Sequence, residues 1–184
     1  MTRAAGESGH MTPADSGTVR AWLSLGSNIE PERNLAAALA ELRARFTGTV
    51  ASPAYRFPAV GFDGPDFVNL AAGIDSDLGP EALDAWLHAL EDRHGRRRDV
   101  PRYSSRTLDV DIVLFGDRII AGPGHLVVPR PDLREAFVLR PLSDIAPDVR
   151  DPRSSKTVAE LWAACDATGT ARGTAMGSGF HIAT

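Results

Sequence analysis

Asp109 and Asp111 stand two residues apart in the stretch 93–115, RHGRRRDVPRYSSRTLDVDIVLF, inside an otherwise apolar run. An extended strand sends alternate side chains to opposite faces, so the two carboxylates share one face while Leu108, Val110, Ile112 and Leu114 share the other. Like charges side by side on an apolar strand are costly, because a desolvated carboxylate needs a neutralising partner. A hard divalent ion with oxygen ligands, Mg²⁺ first among them, removes the conflict. Arg93, Arg96, Arg97, Arg98, Arg102 and Arg106 crowd residues 93–106, placing positive charge beside the acid pair. Guanidinium groups offer paired donors to phosphate oxygens, and a metal flanked by them suits in-line phosphoryl transfer, where negative charge spreads over the migrating group. ATP with magnesium is the ligand this points to. Taken alone, a D-x-D pair is short and common, and salt bridges to the same arginines explain it at least as well. An Arg-rich run alone suits a solvated or nucleic-acid-facing loop. Joined through Pro101 and the Ser104-Ser105 turn, the two shift the balance towards phosphate and metal.

The elements that must position these groups follow from hydrophobic period and turn residues. Residues 19–25 read as a short apolar strand ending at Gly-Ser-Asn, and residues 31–46 carry Leu35, Leu39, Leu42 and Phe46 at helical spacing. Asn28 or Glu30 is the expected helix cap, with Pro31 in the first turn. Residues 49–55 and 67–74 read as strands separated by the loop 56–66, whose Pro and Gly residues break any regular element. A second helix starts at Gly79-Pro80-Glu81 and runs through Leu83, Trp86, Leu87 and Leu90 to His94, where Gly95 ends it. The segment 107–115 is the strongest strand. This order predicts an α+β fold with a ferredoxin-like βαββαβ core, two helices covering one sheet face. Residues 118–121 suggest a short edge hairpin, and residues 131–136 and 157–164 additional C-terminal helices.

Composition sets the frame. The chain has 184 residues, 43% of them hydrophobic, enough for one sizeable core. A single domain over residues 18–165 is expected, flanked by a small, polar N-terminal extension at 1–17 and a flexible Gly-, Thr- and Ala-rich tail at 166–184. The net charge is −4, so no overall field draws the protein to nucleic acid or an anionic membrane. Of twenty basic residues only Lys156 is a lysine, which leaves phosphate handling to arginine. The lone cysteine, Cys165, permits no internal disulfide and fits a reducing cytoplasm. No stretch approaches the roughly 18 apolar residues of a membrane-spanning helix, and the first residues lack the apolar centre of a signal peptide.

The run Arg102-Tyr103-Ser104-Ser105-Arg106-Thr107-Leu108-Asp109-Val110-Asp111-Ile112-Val113-Leu114-Phe115 resembles the signature of the 6-hydroxymethyl-7,8-dihydropterin pyrophosphokinase family. The likeness extends over residues 19–147, taking in Leu25-Gly26-Ser27-Asn28, Tyr55-Arg56 with Gly61, Phe67-Val68-Asn69, and Phe137-Val138-Leu139-Arg140-Pro141-Leu142. It implies a cytoplasmic enzyme, expected as a monomer without nucleic-acid or membrane partners, that moves diphosphate from ATP onto the pterin hydroxymethyl group and releases AMP. By the same resemblance Asp109 and Asp111 bind two Mg²⁺ ions, and Arg96, Arg98 and Arg106 join them in the catalytic set. His88, Glu91, Arg98, Arg102, Tyr103, Arg106, Ile112, His125 and Arg130 fall to ATP. Phe57, Pro58, Val60, Gly61, Phe67, Asn69 and Phe137 fall to the pterin, a flat heterocycle with two π faces and an edge of donors and acceptors.

Several positions depart from the family's commonest pattern. Tyr103 stands where Trp is frequent, Ser104-Ser105 replaces a Gly-Pro turn, His88 takes a place often held by Gln, and Arg130 stands for a His. His125 or Arg134 is the candidate substitute for an arginine the family uses. Two other readings stay open on the residues alone: another metal-dependent phosphoryl or nucleotidyl transferase, and a regulatory ligand-binding module in which the acid–arginine cluster is structural.

Overall fold

A computed structural model describes residues 17–97, 99, 104–122, 124–167 and 173–176. The apolar strand β1 (Val19–Ser27) lies between β4 (Phe67–Ser76) and β5 (Asp109–Phe115), antiparallel to both. The short strands β2 (Thr47–Ala51) and β3 (Tyr55–Phe57) both pair with β4, so the segment expected as one strand at 49–55 is two, interrupted by Ser52-Pro53-Ala54. Proline at the break supplies no ladder donor. The order across the sheet is β5-β1-β4-β3-β8, where β8 (Thr174–Ala175) pairs with β3. Within the stretch expected as a flexible tail, Gly173–Met176 thus runs along the Phe57 strand, and the Met176 amide donates to the Ala54 carbonyl at 3.0 Å.

One sheet face is covered by α1 (Pro31–Arg45) and α2 (Pro80–Arg93), as the spacing predicts. Leu35, Ala38, Leu39 and Leu42 form the buried stripe of α1, and Leu83, Leu87 and Leu90 that of α2. They meet Leu23, Leu25, Leu70, Ile74, Val110 and Ile112 from the sheet. Each such leucine contributes about 1.5–3 kcal/mol on burial. Glu30, in the left-handed conformation, is the N-cap of α1 but makes no side-chain cap. Asn28 is not the cap. Its amide nitrogen donates to the Pro65 carbonyl (3.1 Å) and to Ser105 Oγ (3.3 Å), and its Oδ1 accepts from the Arg106 amide (2.7 Å).

The other face is covered over only part of its area. There α3 (Ala136–Ile145), preceded by a 3-10 turn at Pro131–Arg134, packs with α4 (Val158–Asp166) over Trp22, Ala71, Val113 and Leu114. The α4 start carries a capping box between Thr157 and Glu160. A bulge shapes this end of β5: Trp22 faces Leu114 and Leu23 faces Ile112, leaving Val113 as the extra residue. Leu114 therefore leaves the face expected from strict alternation and joins Val113 under α3, while Phe115 returns to the α1–α2 core. The hairpin appears as a separate two-stranded sheet, β6 (Ile120–Ala121) with β7 (Val127–Val128). Among the described residues it makes no strand pairing with the main sheet. Among the described residues no helix is long and apolar enough to cross a membrane.

Candidate active site

Beyond the edge of α3, the same sheet face carries polar and small residues in place of core: Ser24 and Gly26 from β1, Phe67 and Asn69 from β4, Asp109 and Asp111 from β5. The registers explain the grouping, since Gly26 lies opposite both Asn69 and Asp109, and Ser24 opposite Asp111. These residues floor a cavity of about 720 Å³. Its walls come from α2 (His88, Glu91), the loop after β3 (Pro58, Val60, Phe62), and the segment from His125 to Val138.

The acid pair sits among guanidinium groups. Arg96 Nη1 lies 2.6 Å from Asp109 Oδ1, and Arg106 Nη1 bonds the other carboxylate oxygen of Asp109. Arg130 Nη2 lies 2.9 Å from Asp111 Oδ1 and 3.6 Å from Asp132. The two aspartates differ in character. Burial pushes the Asp109 carboxyl up, but Arg106 and Arg96 outweigh it and hold the group below the usual carboxylate range. Asp111 is pushed up to about 7, first by burial, then by Asp109, with Glu91 and Asp132 adding to the effect against Arg130. Its charge is thus incompletely balanced by the protein, as expected of a carboxylate whose partner is a cation from outside. Glu91 is only 3% exposed and is held in place by its own role: Oε1 accepts the Val110 amide at 2.8 Å, joining α2 to the strand between the aspartates.

Aromatic rings line the cavity on the β4 and β3 side, across β1 from the aspartates of β5. Phe57 and Phe137 meet edge to face with centroids 6.5 Å apart, and Phe62 meets Phe67 likewise at 6.4 Å. Asn69, 6% exposed, lines the cavity from β4 opposite Gly26, which in turn lies opposite Asp109. Gly26 makes room for it: a Cβ there would fall 2.8 Å from Asn69 Oδ1.

Of the residues singled out from sequence, Phe57, Pro58, Val60, Phe67, Asn69, His88, Glu91, Arg96, Arg106, Asp109, Asp111, His125, Arg130 and Phe137 all line this one cavity. Ile112 does not. It is buried on the α1–α2 side, as alternation from Asp111 requires. Gly61 adjoins the lining with a positive φ of 83° but is not part of it. Arg98, Arg102 and Tyr103 lie outside the described residues. The arginine run does not act as a block, for Arg93 turns to Glu41 on α1 (2.8 Å) and Arg97 to Asp99 in solvent (2.8 Å). Ser24, Phe62, Ser104, Asp132 and Glu135 also line the cavity and were not anticipated. Ser24 had a signal, a polar residue two before Gly26 in an apolar strand. Asp132 and Glu135 had none, since one sits in the 3-10 turn and the other at the N-cap of α3, where no side-chain repeat marks them.

An antiparallel sheet with helices on both faces, bearing an acid–arginine cluster next to aromatic rings in one cavity, defines a mixed helix-and-sheet protein with a candidate site whose groups suit phosphoryl-transfer chemistry. The sequence over residues 22–147 matches the model of the family described as 7,8-dihydro-6-hydroxymethylpterin-pyrophosphokinase. It is 45% identical over 159 residues to a 2-amino-4-hydroxy-6-hydroxymethyldihydropteridine pyrophosphokinase of Pseudomonas aeruginosa, covering 83% of this chain and 96% of that one. The namesake from Synechocystis is 39% identical over 152 residues (80% and 77%), and that from Haemophilus influenzae 36% over 149 residues (78% and 91%). Among solved structures, a Plasmodium falciparum HPPK-DHPS superposes with a TM-score of 0.62 at 12% identity, over 82% of this chain. The chain spans 45% of that larger protein, and the likeness concerns the fold. The chain belongs to the 7,8-dihydro-6-hydroxymethylpterin-pyrophosphokinase family and is a pyrophosphokinase of folate biosynthesis.

Proposed function

We propose that this cavity performs the family's reaction by holding its two substrates at its two ends. ATP lies along the arginines and 6-hydroxymethyl-7,8-dihydropterin between the phenyl rings, and diphosphate passes from the first to the second with release of AMP. The observation that carries this reading is the placing of Asp109, Asp111, Asn69, Phe67 and Phe137 on one cavity. Asn69 offers an amide to the donor–acceptor edge of the pterin, and Phe67 and Phe137 offer ring faces or edges to its π surface. The topology supports reading the core as ferredoxin-like: the strands of the expected βαββαβ unit fall in the antiparallel order β5-β1-β4 with β2 and β3 beyond.

Asp109 and Asp111 would hold the magnesium that accompanies ATP, and the incompletely balanced charge on Asp111 fits a cation there. Bound magnesium supplies charge neutralisation to the transferring phosphates. The protein's part is positioning. Arg96 and Arg106, already fixed by Asp109, share their remaining donors with phosphate oxygens, and Arg130 does so from the Asp111 side. The pterin hydroxymethyl oxygen attacks the β-phosphorus of ATP and gives up its proton to water, the bond from that phosphorus to the oxygen bridging the α-phosphate breaks, and AMP leaves with that oxygen. No covalent enzyme intermediate is required, and proximity of two bound substrates supplies much of the rate. The loop 56–66, which lines the cavity through Pro58, Val60 and Phe62, acts as a lid that excludes water and keeps ATP from hydrolysis; the second expected lid, 96–105, lies partly outside the described residues. A cytoplasmic monomer with one domain, whose sheet runs past the expected limit of 165 to β8, completes the reading.

Incubation with magnesium, ATP and 6-hydroxymethyl-7,8-dihydropterin tests it, with AMP and pterin diphosphate as the expected products in equal amounts. Formation of ADP, or release of inorganic pyrophosphate, would overturn it.

A further inference from the structure

We propose that Asp84, His88 and His125 form a site for a divalent transition metal, Zn²⁺ foremost, at the rim of the cavity and separate from the Asp109–Asp111 pair. Asp84 and His88 are one turn apart on α2 and so project side by side, while His125 arrives from the connection between β6 and β7. His88 Nδ1 lies 3.7 Å from Asp84 Oδ2, and His125 Nε2 lies 3.4 Å from the same oxygen. The imidazole rings are 4.6 Å apart, tilted by 48°. One donor atom from each residue falls within 4.8 Å of the other two.

Both His–Asp separations are longer than a well-made N–H···O bond, whose mode is about 2.9–3.0 Å. They match a different spacing. A tetrahedral ion with metal–ligand distances of about 2.0–2.1 Å keeps neighbouring ligand atoms about 3.4 Å apart. Two imidazoles and one carboxylate are the ligand types of zinc with an open fourth position, whereas magnesium takes oxygen and water and discriminates against such a set. His125 is 55% exposed, so the fourth corner is open to water or to a donor of a molecule in the cavity. The ion would tie the β6–β7 connection to α2, and both histidines line the cavity. That this rim is the nucleotide's side rests on the proposed function; the metal site itself does not.

The test is titration of the untagged full chain with Zn²⁺, and with Co²⁺ as a visible probe, in an excess of MgCl₂. One equivalent should bind, Co²⁺ should give the strong visible absorption of a four-coordinate ion, and His125→Ala and His88→Ala should each weaken binding by roughly 10–100-fold or more. Asp109→Asn and Asp111→Asn should leave it unchanged. Zn²⁺ affinity equal in wild type and His125→Ala overturns the site, and so does affinity lost in Asp111→Asn but kept in His125→Ala, which would put the ion on the strand carboxylates. Since His125 is largely exposed, its replacement is compatible with folding, which circular dichroism verifies. Absent Zn²⁺ binding with normal AMP formation refutes this site alone; Zn²⁺ binding without AMP formation refutes the proposed reaction alone.

Discussion

Two aspartates two residues apart on β5 should respond oppositely to the same substitution. In the metal-free protein Asp111 is held with a pKa of about 7 by burial and by Asp109, Glu91 and Asp132. An unfolded aspartate titrates near 3.9, so the difference of about 3 pK units corresponds to about 4 kcal/mol of native-state destabilisation once the group is ionised in both states. Asp111 is 30% exposed to the cavity, and water there screens the charge, so about 1–3 kcal/mol is the expected effect. The sign follows from the raised pKa. The native state holds the proton more tightly, so this group's contribution is fully present below about pH 4 and is lost as pH rises through about 7. Asp111→Asn removes the titration and leaves Arg130 with Asp132 at 3.6 Å. Urea unfolding in EDTA should therefore show the variant gaining on wild type as the pH rises from about 4 to about 8. Asp109→Asn should instead lose about 2–4 kcal/mol at neutral pH, because it removes the carboxylate that both Arg96 and Arg106 bond. Mg²⁺ should raise the wild-type midpoint at about pH 8 but not that of Asp111→Asn, and AMP formation should vanish in both variants. An Asp111→Asn protein that loses stability equally at all pH values, or whose advantage grows on acidification, refutes the reasoning.

Gly26→Ala should raise the KM for pterin about tenfold or more with little change in that for ATP, since its methyl group would displace the Asn69 amide; steady-state kinetics with each substrate varied checks this. Glu91→Ala strands the buried Val110 amide and should cost about 1–3 kcal/mol in urea unfolding, while Glu91→Gln, which keeps an acceptor, should cost less. Tyr55 donates to Asp144 Oδ2 at 2.6 Å, and burial with that bond pushes its hydroxyl up to about 12. Its contribution is therefore full below about pH 10 and lost as pH rises through about 12. Tyr55→Phe should lower stability by about 1–2 kcal/mol at neutral pH and remove a tyrosinate absorbance transition near pH 12 in an alkaline titration.

The parts of the fold legible in sequence are those whose side chains repeat. The stripe Leu35, Leu39, Leu42 and the stripe Leu83, Leu87, Leu90 announce their helices, because one buried face at helical spacing leaves few alternatives. The shared face of Asp109 and Asp111 is legible for the same reason, since alternation in a strand is a geometric property of the backbone. It fails three residues on. The bulge at Val113 shifts Leu114 to the aspartates' side, and nothing in the local sequence marks it, because the extra residue is set by pairing with Trp22 and Leu23 on another strand.

The same distinction divides the site. Asp109, Asp111 and Asn69 could be located from β periodicity, but the choice of which arginines serve them is tertiary: Arg93 meets Glu41 on α1, while Arg96, three residues later and past the end of α2, reaches Asp109. Asn28 is the clearest instance. By position it reads as a helix cap, yet in the fold its amide spans Pro65, Ser105 and the Arg106 amide, and thereby fixes where Arg106 enters the cavity. A side chain with both donor and acceptor serves either role, and only the approach of the loop at Pro65 decides between them. Part of the sheet face is sealed by Trp22, Ala71 and Val113 under α3, and the next residues along the same strands, Ser24, Asn69 and Asp111, are left open because α3 does not extend over them. The boundary between core and active site is therefore set by where a helix from the C-terminal half comes to rest, not by any feature of the strands that carry the chemistry.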